Sequence, residues 1–241
     1  MSTAPPERLN RFLARRGVAS RRAADELIAA GRVTVNGRAG SVGVSVHPDR
    51  DRVRVDGRDV IEARSVTLAL NKPAGVVTTV RDPRGRRTVM QLVPAVDGLV
   101  PVGRLDADSR GLLLLTTDGD LAHRVTHPRY GVRKRYRVTV ATSVSDAQLT
   151  ALLGGVQLDD GGARALTARR GRDARTLELT MGEGRKREVR RMCAAVRLEV
   201  RDLMRTAIGP VTLGGLREGE VRGLAPREES GLREAVGLVS R

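Results

Sequence analysis

Two stretches of this 241-residue chain gather side chains that could do chemistry. The denser is Gly103-Arg104-Leu105-Asp106-Ala107-Asp108-Ser109-Arg110-Gly111, which runs straight into four leucines, Leu112–Leu115. An apolar run that short is read as a fully buried strand, so the loop places its carboxylates at the rim of a core. There they could attack a substrate or hold a metal ion. Residue type and spacing do not rank Asp106 against Asp108. An Asp-rich turn fits, and so does a magnesium site made from Asp106, Asp108 and Asp118, as a nuclease would need. An EF-hand does not fit, because the glycine and glutamate of that loop are missing.

The second stretch is Gly182-Glu183-Gly184-Arg185-Lys186-Arg187-Glu188-Val189-Arg190-Arg191-Met192. Its glycines lead into a helix over roughly Arg187–Ala195, whose apolar stripe is Val189, Met192, Cys193 and Val196. At about 100° per residue, Arg190 lies at the edge of that stripe and can reach a partly buried site. Arg191 lies almost opposite, toward solvent or RNA. Several positive charges at a helix N-terminus oppose the macrodipole and suit an anionic partner.

The elements that must position these stretches follow from periodicity. Leu9, Phe12 and Leu13 at i, i+3 and i+4 predict a first helix from Arg8 that ends at Gly17. Ser20 is the N-cap expected for a second, Arg21 to Ala30, with Ala24, Leu27 and Ile28 inward. Val33 and Val35 alternate into a hairpin turn at Asn36-Gly37, and short strands follow near Val42–Val46 and Val53–Val55. Beyond a link at 60–65, Val66–Leu70 reads as a strand, Asn71–Gly75 as a turn and Val76–Val80 as its partner. Arg81–Arg87 is a basic loop. Asp118-Gly119 opens a short helix carrying Leu121 and Val125. Lys134, Tyr136, Val138 and Val140 share one face of a strand. Ser145-Asp146-Ala147-Gln148 reads as a capping box. Later strands are expected near Ala163–Ala168, Thr176–Met181, Leu198–Leu203 and Val211–Leu213, and the last dozen residues as a tail or marginal helix.

Composition narrows the class. The 44 Lys and Arg against 28 Asp and Glu leave a net charge of +16, which favours a polyanionic partner. There is no Trp, and the aromatics are Phe12, Tyr130 and Tyr136, too few for a binder that stacks many bases along a strand. Only Lys72, Lys134 and Lys186 among the basic residues are lysines. Cys193 alone supports neither an intramolecular disulfide nor a Cys-based zinc site, and His47, His123 and His127 are too scattered for a metal cluster. No run approaches a membrane span and Met1–Glu7 has no apolar stretch of signal-peptide length, so a cytoplasmic protein without membrane attachment is expected.

The N-terminal stretch R-L-N-R-F-L-A-R-R-G-V-A-S-R-R-A-A-D-E-L-I-A-A-G-R-V-T-V-N-G resembles the S4 RNA-binding domain, over residues 8–59. Arginine pairs beside helix N-termini can meet phosphates with side-chain charge and backbone N–H groups together. Arg15, Arg16, Arg21, Arg22, Arg32 and Arg38 are the expected RNA contacts there, joined by Arg84, Arg86 and Arg87 of the basic loop and by Lys186 and Arg191 of the second stretch. Four further landmarks stand in order: N-K-P-A-G at 71–75, G-R-L-D-A-D-S-R-G-L-L-L-L-T-T-D-G at 103–119, R-K-R-Y-R-V at 133–138 and E-G-R-K-R-E-V-R-R-M at 183–192. With them the chain resembles the S4-domain-containing ribosomal pseudouridine synthases (the RsuA/RluB type). The last landmark is closest to members acting on large-subunit, 23S rRNA.

That resemblance implies an α+β protein. A tail (1–7) precedes an S4-like domain (8–59) and a linker (60–65). A pseudouridine synthase domain on a mixed, mainly antiparallel sheet (66–230) and a C-terminal tail or marginal helix (231–241) follow. It implies Asp106 as the catalytic aspartate, Tyr136 as the ring stacked on the target base, Arg190 as the basic partner of the aspartate, and Arg104 as the residue that helps open the RNA. Arg110 and Thr117 depart from the family pattern, where an acidic residue and Asn are common. The reaction breaks N1–C1′ of uridine, turns the uracil and joins C5 to C1′. It needs no redox equivalents and no ATP, so neither cofactor nor metal is expected. Glycosidases use two carboxylates, but uracil spreads negative charge over its carbonyls, and one aspartate can suffice. Attack on C1′ and removal of the 2′-hydrogen both remain open for Asp106. The expected partner is rRNA or a large-subunit assembly intermediate, met by a monomer. The rival readings are a non-catalytic ribosome-assembly factor and a metal-dependent nuclease.

Overall fold

A computed structural model describes residues 5–61 and 65–238. Parts of the expected tail, linker and C-terminal segment (1–4, 62–64 and 239–241) lie outside the described residues. The chain forms two compact units. One takes the described residues up to Val66 with Ala95–Val100 and Thr116–Asp120, and the other takes the remainder.

In the first unit β1 (Glu7–Arg8) leads into α1 (Leu9–Arg15) and α2 (Arg21–Ala29), then β2 (Val33–Val35), β3 (Arg38–Ala39), β4 (Ser45–Val46), β5 (Val53–Val55) and β6 (Arg58–Asp59). The Ser20 Oγ accepts the Ala23 N–H at 3.2 Å and starts α2. Asn36 and Gly37 both take positive φ, 51° and 81°, the pair a two-residue turn needs to match the twist of its strands. Strands β3-β2-β5-β6 form one sheet and β1 pairs with β4. Leu9, Phe12 and Leu13 of α1 pack with Ala24, Ile28, Val33, Val46 and Val53 into a core of their own.

The rest of the chain supplies β7 (Thr67–Lys72), β8 (Val100–Pro101), β9 (Arg110–Thr116), α3 (Gly119–Thr126), β10 (Lys134–Val140), α4 (Asp146–Gly154), β11 (Val156–Leu158), β12 (Gly161–Ala163), β13 (Thr167–Arg170), β14 (Thr176–Met181), α5 (Glu188–Ala195), β15 (Val200–Ile208), β16 (Val211–Thr212), β17 (Val221–Gly223) and α6 (Pro226–Ala235). Its main sheet has the order β13-β14-β10-β15-β9-β7-β17, with β16 beside β15 and β8 beside β9. The β13–β14, β14–β10, β10–β15 and β7–β17 pairs are antiparallel and β15–β9 is parallel. The protein is α+β with a mixed sheet. Leu112–Leu115 lie in β9 and are all 0% exposed, each side chain worth roughly 1.5–3 kcal/mol of burial. A strand covered on both faces has no use for alternation, and that is why the four leucines are consecutive.

The strands expected at Val42–Val46 and Ala163–Ala168 are shorter or split, as β4 and as β12 with β13, and three further elements differ from expectation. Val76–Val80 is not the hairpin partner of the first strand. The neighbours of β7 are β9 and β17, and Val77 makes only an isolated bridge to Thr88. Pro73 has no N–H to give a ladder, and the chain instead curls around the Lys72 ammonium, which the Pro73 and Val76 carbonyls both bind at 2.8 Å. The C-terminal segment is a ten-residue helix, α6, started by Pro226 and by a bond from the Ala225 N–H to the Glu228 carboxylate at 3.0 Å. Its Leu232 and the following Val236 belong to the core that holds Leu112 and Leu114, so that core extends past residue 230. Finally, β15 runs on to Ile208, because Arg205, which interrupts the apolar pattern, is itself buried.

Candidate active site

Asp106 and Asp108 sit on a tight turn, closed by the Ser109 N–H donating to the Asp106 carbonyl at 3.1 Å. Underneath, the Gly75 N–H donates to the Ala107 carbonyl at 2.7 Å. Lys72 lies below as well, 0% exposed, with Nζ 3.5 Å from the same carbonyl. Burial pulls the Lys72 ammonium down to about 8, against the opposing pull of Asp108 and Asp106. A lysine therefore braces the carboxylate loop from inside the fold. On the other side of the loop Gly111 has φ +103°, and a Cβ there would meet the Arg205 backbone O at 2.4 Å, so only glycine lets β9 approach β15 this closely.

The surroundings separate the two aspartates. Asp108 accepts a two-pronged bond from Arg187 at 3.0 and 2.9 Å. Arg190 Nε stands 3.4 Å from its carboxylate and Arg190 Nη2 donates to its carbonyl at 2.9 Å. Arg187, with the Arg190 charge, holds the Asp108 carboxyl below the usual carboxylate range. Among the described residues the Asp106 carboxylate has one salt-bridge partner, Arg187 Nη1 at 4.0 Å, and remains 35% exposed. It lines a cavity of about 230 Å³ together with Arg104, Lys134, Tyr136, Lys186 and Arg205.

Tyr136, 9% exposed, stands on β10 opposite Arg205 of β15. Arg104 and Lys186 are exposed at the cavity wall. The expected Arg190–Asp106 pair is not formed. Arg190 lies in the first turn of α5 and reaches Asp108 and the Ser109 Oγ (3.4 Å), while Arg187, at the N-cap with φ 50°, is aimed at both carboxylates. A left-handed arginine costs about 1–2 kcal/mol, and the bonds to Asp108 hold it there. Arg187 was not singled out from the sequence. Three basic residues stand in a row before α5, and nothing in their types marks the one that turns inward.

The expected RNA contacts divide into two groups. Arg21, Arg22, Arg38, Arg84, Arg87 and Lys186 are exposed and form no ion pair among the described residues. Arg15 pairs with Glu7, Arg32 with Asp56 and Arg86 with Asp82. Arg16 lies over the Phe12 ring at 4.6 Å. Arg191, expected to face solvent or RNA, is bound through both Nη atoms to Asp160 at 2.9 Å. Of the two departures, Arg110 grips Asp202 of β15 at 2.8 and 2.7 Å, strengthening the short parallel junction of β9 with β15. His123, His127 and Tyr130 form a small ring cluster. The Cys193 thiol is buried and pushed up to about 12. Among the described residues no group of three or more His, Cys, Asp or Glu side chains could hold a metal ion, and no helix is long and apolar enough to cross a membrane.

Comparison with known proteins places this geometry. Residues 66–195 match the model of the RNA pseudouridylate synthase family and residues 7–39 that of the S4 domain. An uncharacterized RNA pseudouridine synthase of Aquifex aeolicus is 43% identical, over 96% of this chain and 95% of that one. Ribosomal large subunit pseudouridine synthase B of Bacillus subtilis is 38% identical, over 94% and 96%. The crystal structure of a pseudouridylate synthase superposes with a TM-score of 0.67 at 32% identity, over 93% of this chain and 99% of the other. The chain belongs to the RNA pseudouridine synthase family and carries an S4 domain at its N-terminus.

Proposed function

We propose that this enzyme isomerises a uridine of large-subunit, 23S rRNA to pseudouridine, acting as a cytoplasmic monomer on the rRNA or an assembly intermediate, with Asp106 as its catalytic carboxylate. The observation that carries the reading is the contrast within one turn. Asp108 is occupied by Arg187 and Arg190, whereas Asp106 lines the cavity with Tyr136 and is met by Arg187 at no less than 4.0 Å. The large-subunit substrate is supported by the likeness to synthase B of Bacillus subtilis over nearly the whole of both chains.

The target base must leave its stack, at a cost of a few kcal/mol. Arg104 at the cavity wall holds the opened strand, and Tyr136 receives the ring, an interaction worth roughly 1–3 kcal/mol. Asp106 then acts at the ribose while the bonding pair of N1–C1′ leaves with the uracil. Arg187 supplies positive charge beside the carboxylate, and Arg190 fixes the loop through the Asp108 carbonyl. The S4 domain adds sequence-independent contacts to phosphates through Arg21, Arg22 and Arg38.

Pseudouridine mapping across rRNA with and without the protein tests the reading and locates the site. On the RNA so identified, Asp106→Asn is expected to abolish tritium release from C5-labelled uridine and to keep RNA binding. Full turnover by that variant would remove Asp106 from the chemistry.

A further inference from the structure

The floor of the cavity contains two cations that the scheme above leaves without work. Arg205 is 3% exposed. Its Nε donates to the Leu112 carbonyl at 2.8 Å and its Nη1 to the Arg104 carbonyl at 3.4 Å. Its Nη2 is buried and meets no acceptor. Lys134, half-buried on the neighbouring strand, has the Val132 carbonyl at 3.3 Å. Neither side chain is ion-paired among the described residues, and both line the cavity. Burial holds the Lys134 ammonium below the usual lysine range, the Arg205 charge pushes it the same way, and the Glu188 carboxylate only partly opposes them. Buried positive charge without a counter-ion is costly, and a buried donor left unpaired adds to that cost. Both costs are removed when an electron-rich oxygen enters.

Backbone geometry brings the pair together. Tyr136 opposes Arg205 and Lys134 opposes Ile208, with a register shift between Arg135 and Tyr136. Two steps along β10 therefore span three along β15. That bulge turns Arg205 and Ile208 to the same face, where regular pleating would have opposed them. The close contact at Gly111 then sets the Arg205 backbone against the strand that carries the Asp106 loop.

We propose that Arg205, through Nη2 and assisted by the Lys134 ammonium, receives the carbonyl oxygens of the flipped uracil and stabilises the negative charge they carry once N1–C1′ has broken. This rests on the pseudouridine synthase reading of the cavity. In that step the bonding pair leaves with the ring and is spread over its oxygens. When C5 joins C1′ the pair enters the new bond, the C5 hydrogen departs to water as a proton, and N1 takes up a proton. Asp106 ends as it began, a carboxylate. The occupant is a base and not a phosphate because a phosphate is tied to ribose on both sides and stays with the strand at the mouth. Only an extruded base can reach a guanidinium this deep.

Single-turnover tritium release, with RNA affinity and thermal melts measured in parallel, tests the assignment. Arg205→Met is expected to slow release by about 10²–10³-fold, the effect typical of removing one donor that faces developing charge. Lys134→Met should slow it less, and RNA affinity should be unchanged in both. Added guanidinium chloride, below denaturing concentration, should restore part of the rate to Arg205→Met and none to Asp106→Asn, which a packing role would not produce. Should Arg205→Met fail to fold, Arg205→Lys keeps a charge and a donor for the Leu112 carbonyl. It is then expected to be about tenfold slower, below the full loss of a donor, and a wild-type rate there overturns the proposal. Wild-type release by a folded Arg205→Met, or a loss confined to RNA affinity, beside an inactive Asp106→Asn overturns this inference alone. A fully active Asp106→Asn overturns the underlying function.

Discussion

Arg32, Arg52 and Arg54 of the N-terminal unit lie on its surface against Asp56 and Asp59, while Arg205 and Lys134 of the second unit line a cavity and form no ion pair among the described residues. The two settings give the same formal charge opposite meanings. A surface pair is screened by solvent and salt and adds little to stability, and an arginine so engaged is less available to a phosphate. A cation withdrawn from water without a partner is held at a cost that a ligand can relieve. The count of 44 basic residues therefore overstates the cations free to meet RNA and conceals the charge that can act on a base. The lysines sharpen the point. Lys134 and Lys186 line the cavity and Lys72 braces its loop, so the three ammonium groups of an arginine-dominated chain all gather at one site.

The largest effect that could break this comparison concerns Lys72. Its folded value of about 8 lies below the ordinary 10.5. Below pH 8 both states carry the proton, and the folded state bears the whole penalty of burying the charge. Between pH 8 and 10.5 the unfolded chain binds more protons, so stability rises with pH. Relative to Lys72→Met, the wild type should gain on the order of 3 kcal/mol across that window, read from urea unfolding at several pH values. A flat difference would mean that the three carbonyls around Nζ fully replace water, and buried cations in this fold would then cost nothing.

Tyr136 gives the next effect. Tyr136→Leu removes the stacking ring and should lower kcat/KM by the equivalent of about 1–3 kcal/mol, whereas Tyr136→Phe keeps the ring and should retain most activity. Equal losses in both variants would transfer the role from the ring face to the hydroxyl.

Legibility followed distance along the chain. The Ser20 cap, the Ser145–Gln148 capping box, the Asn36-Gly37 turn and the Leu112–Leu115 strand depend on neighbours within a few residues, and the structure has all of them. The residues missed act across long separations. Lys72 reaches Ala107, 35 positions on, and Arg205 reaches Leu112 from 93 positions away. Arg205 lies two residues past the strand expected near Leu198–Leu203 and reads as the end of that strand until the bulge that buries it is known. Arg187 is hidden differently, because its inward aim depends on a left-handed φ that a bulky side chain rarely adopts. The Asp106–Asp108 tie had the same origin. Two identical side chains on one turn differ only in what distant α5 brings to them.

The smallest effect returns to the N-terminal unit and is the finest test of the comparison. Arg21 and Arg22 open α2, exposed and outside the surface ion pairs, with the Ser20 cap just before them. Arg32 is equally exposed but bound to Asp56 through Nε and Nη2. If exposure alone decided RNA contact, replacing any one of them by Ala would weaken binding alike. If existing partners decide it, each of Arg21→Ala and Arg22→Ala should reduce the salt slope of log K by about 1, the signature of one lost phosphate contact. Arg32→Ala should leave the slope unchanged, and Asp56→Ala, which releases that guanidinium, should raise affinity. Titrations at several salt concentrations separate these outcomes. A full unit of slope lost in Arg32→Ala would show that RNA competes successfully with Asp56, and the distinction between occupied and available arginines would hold only inside the cavity.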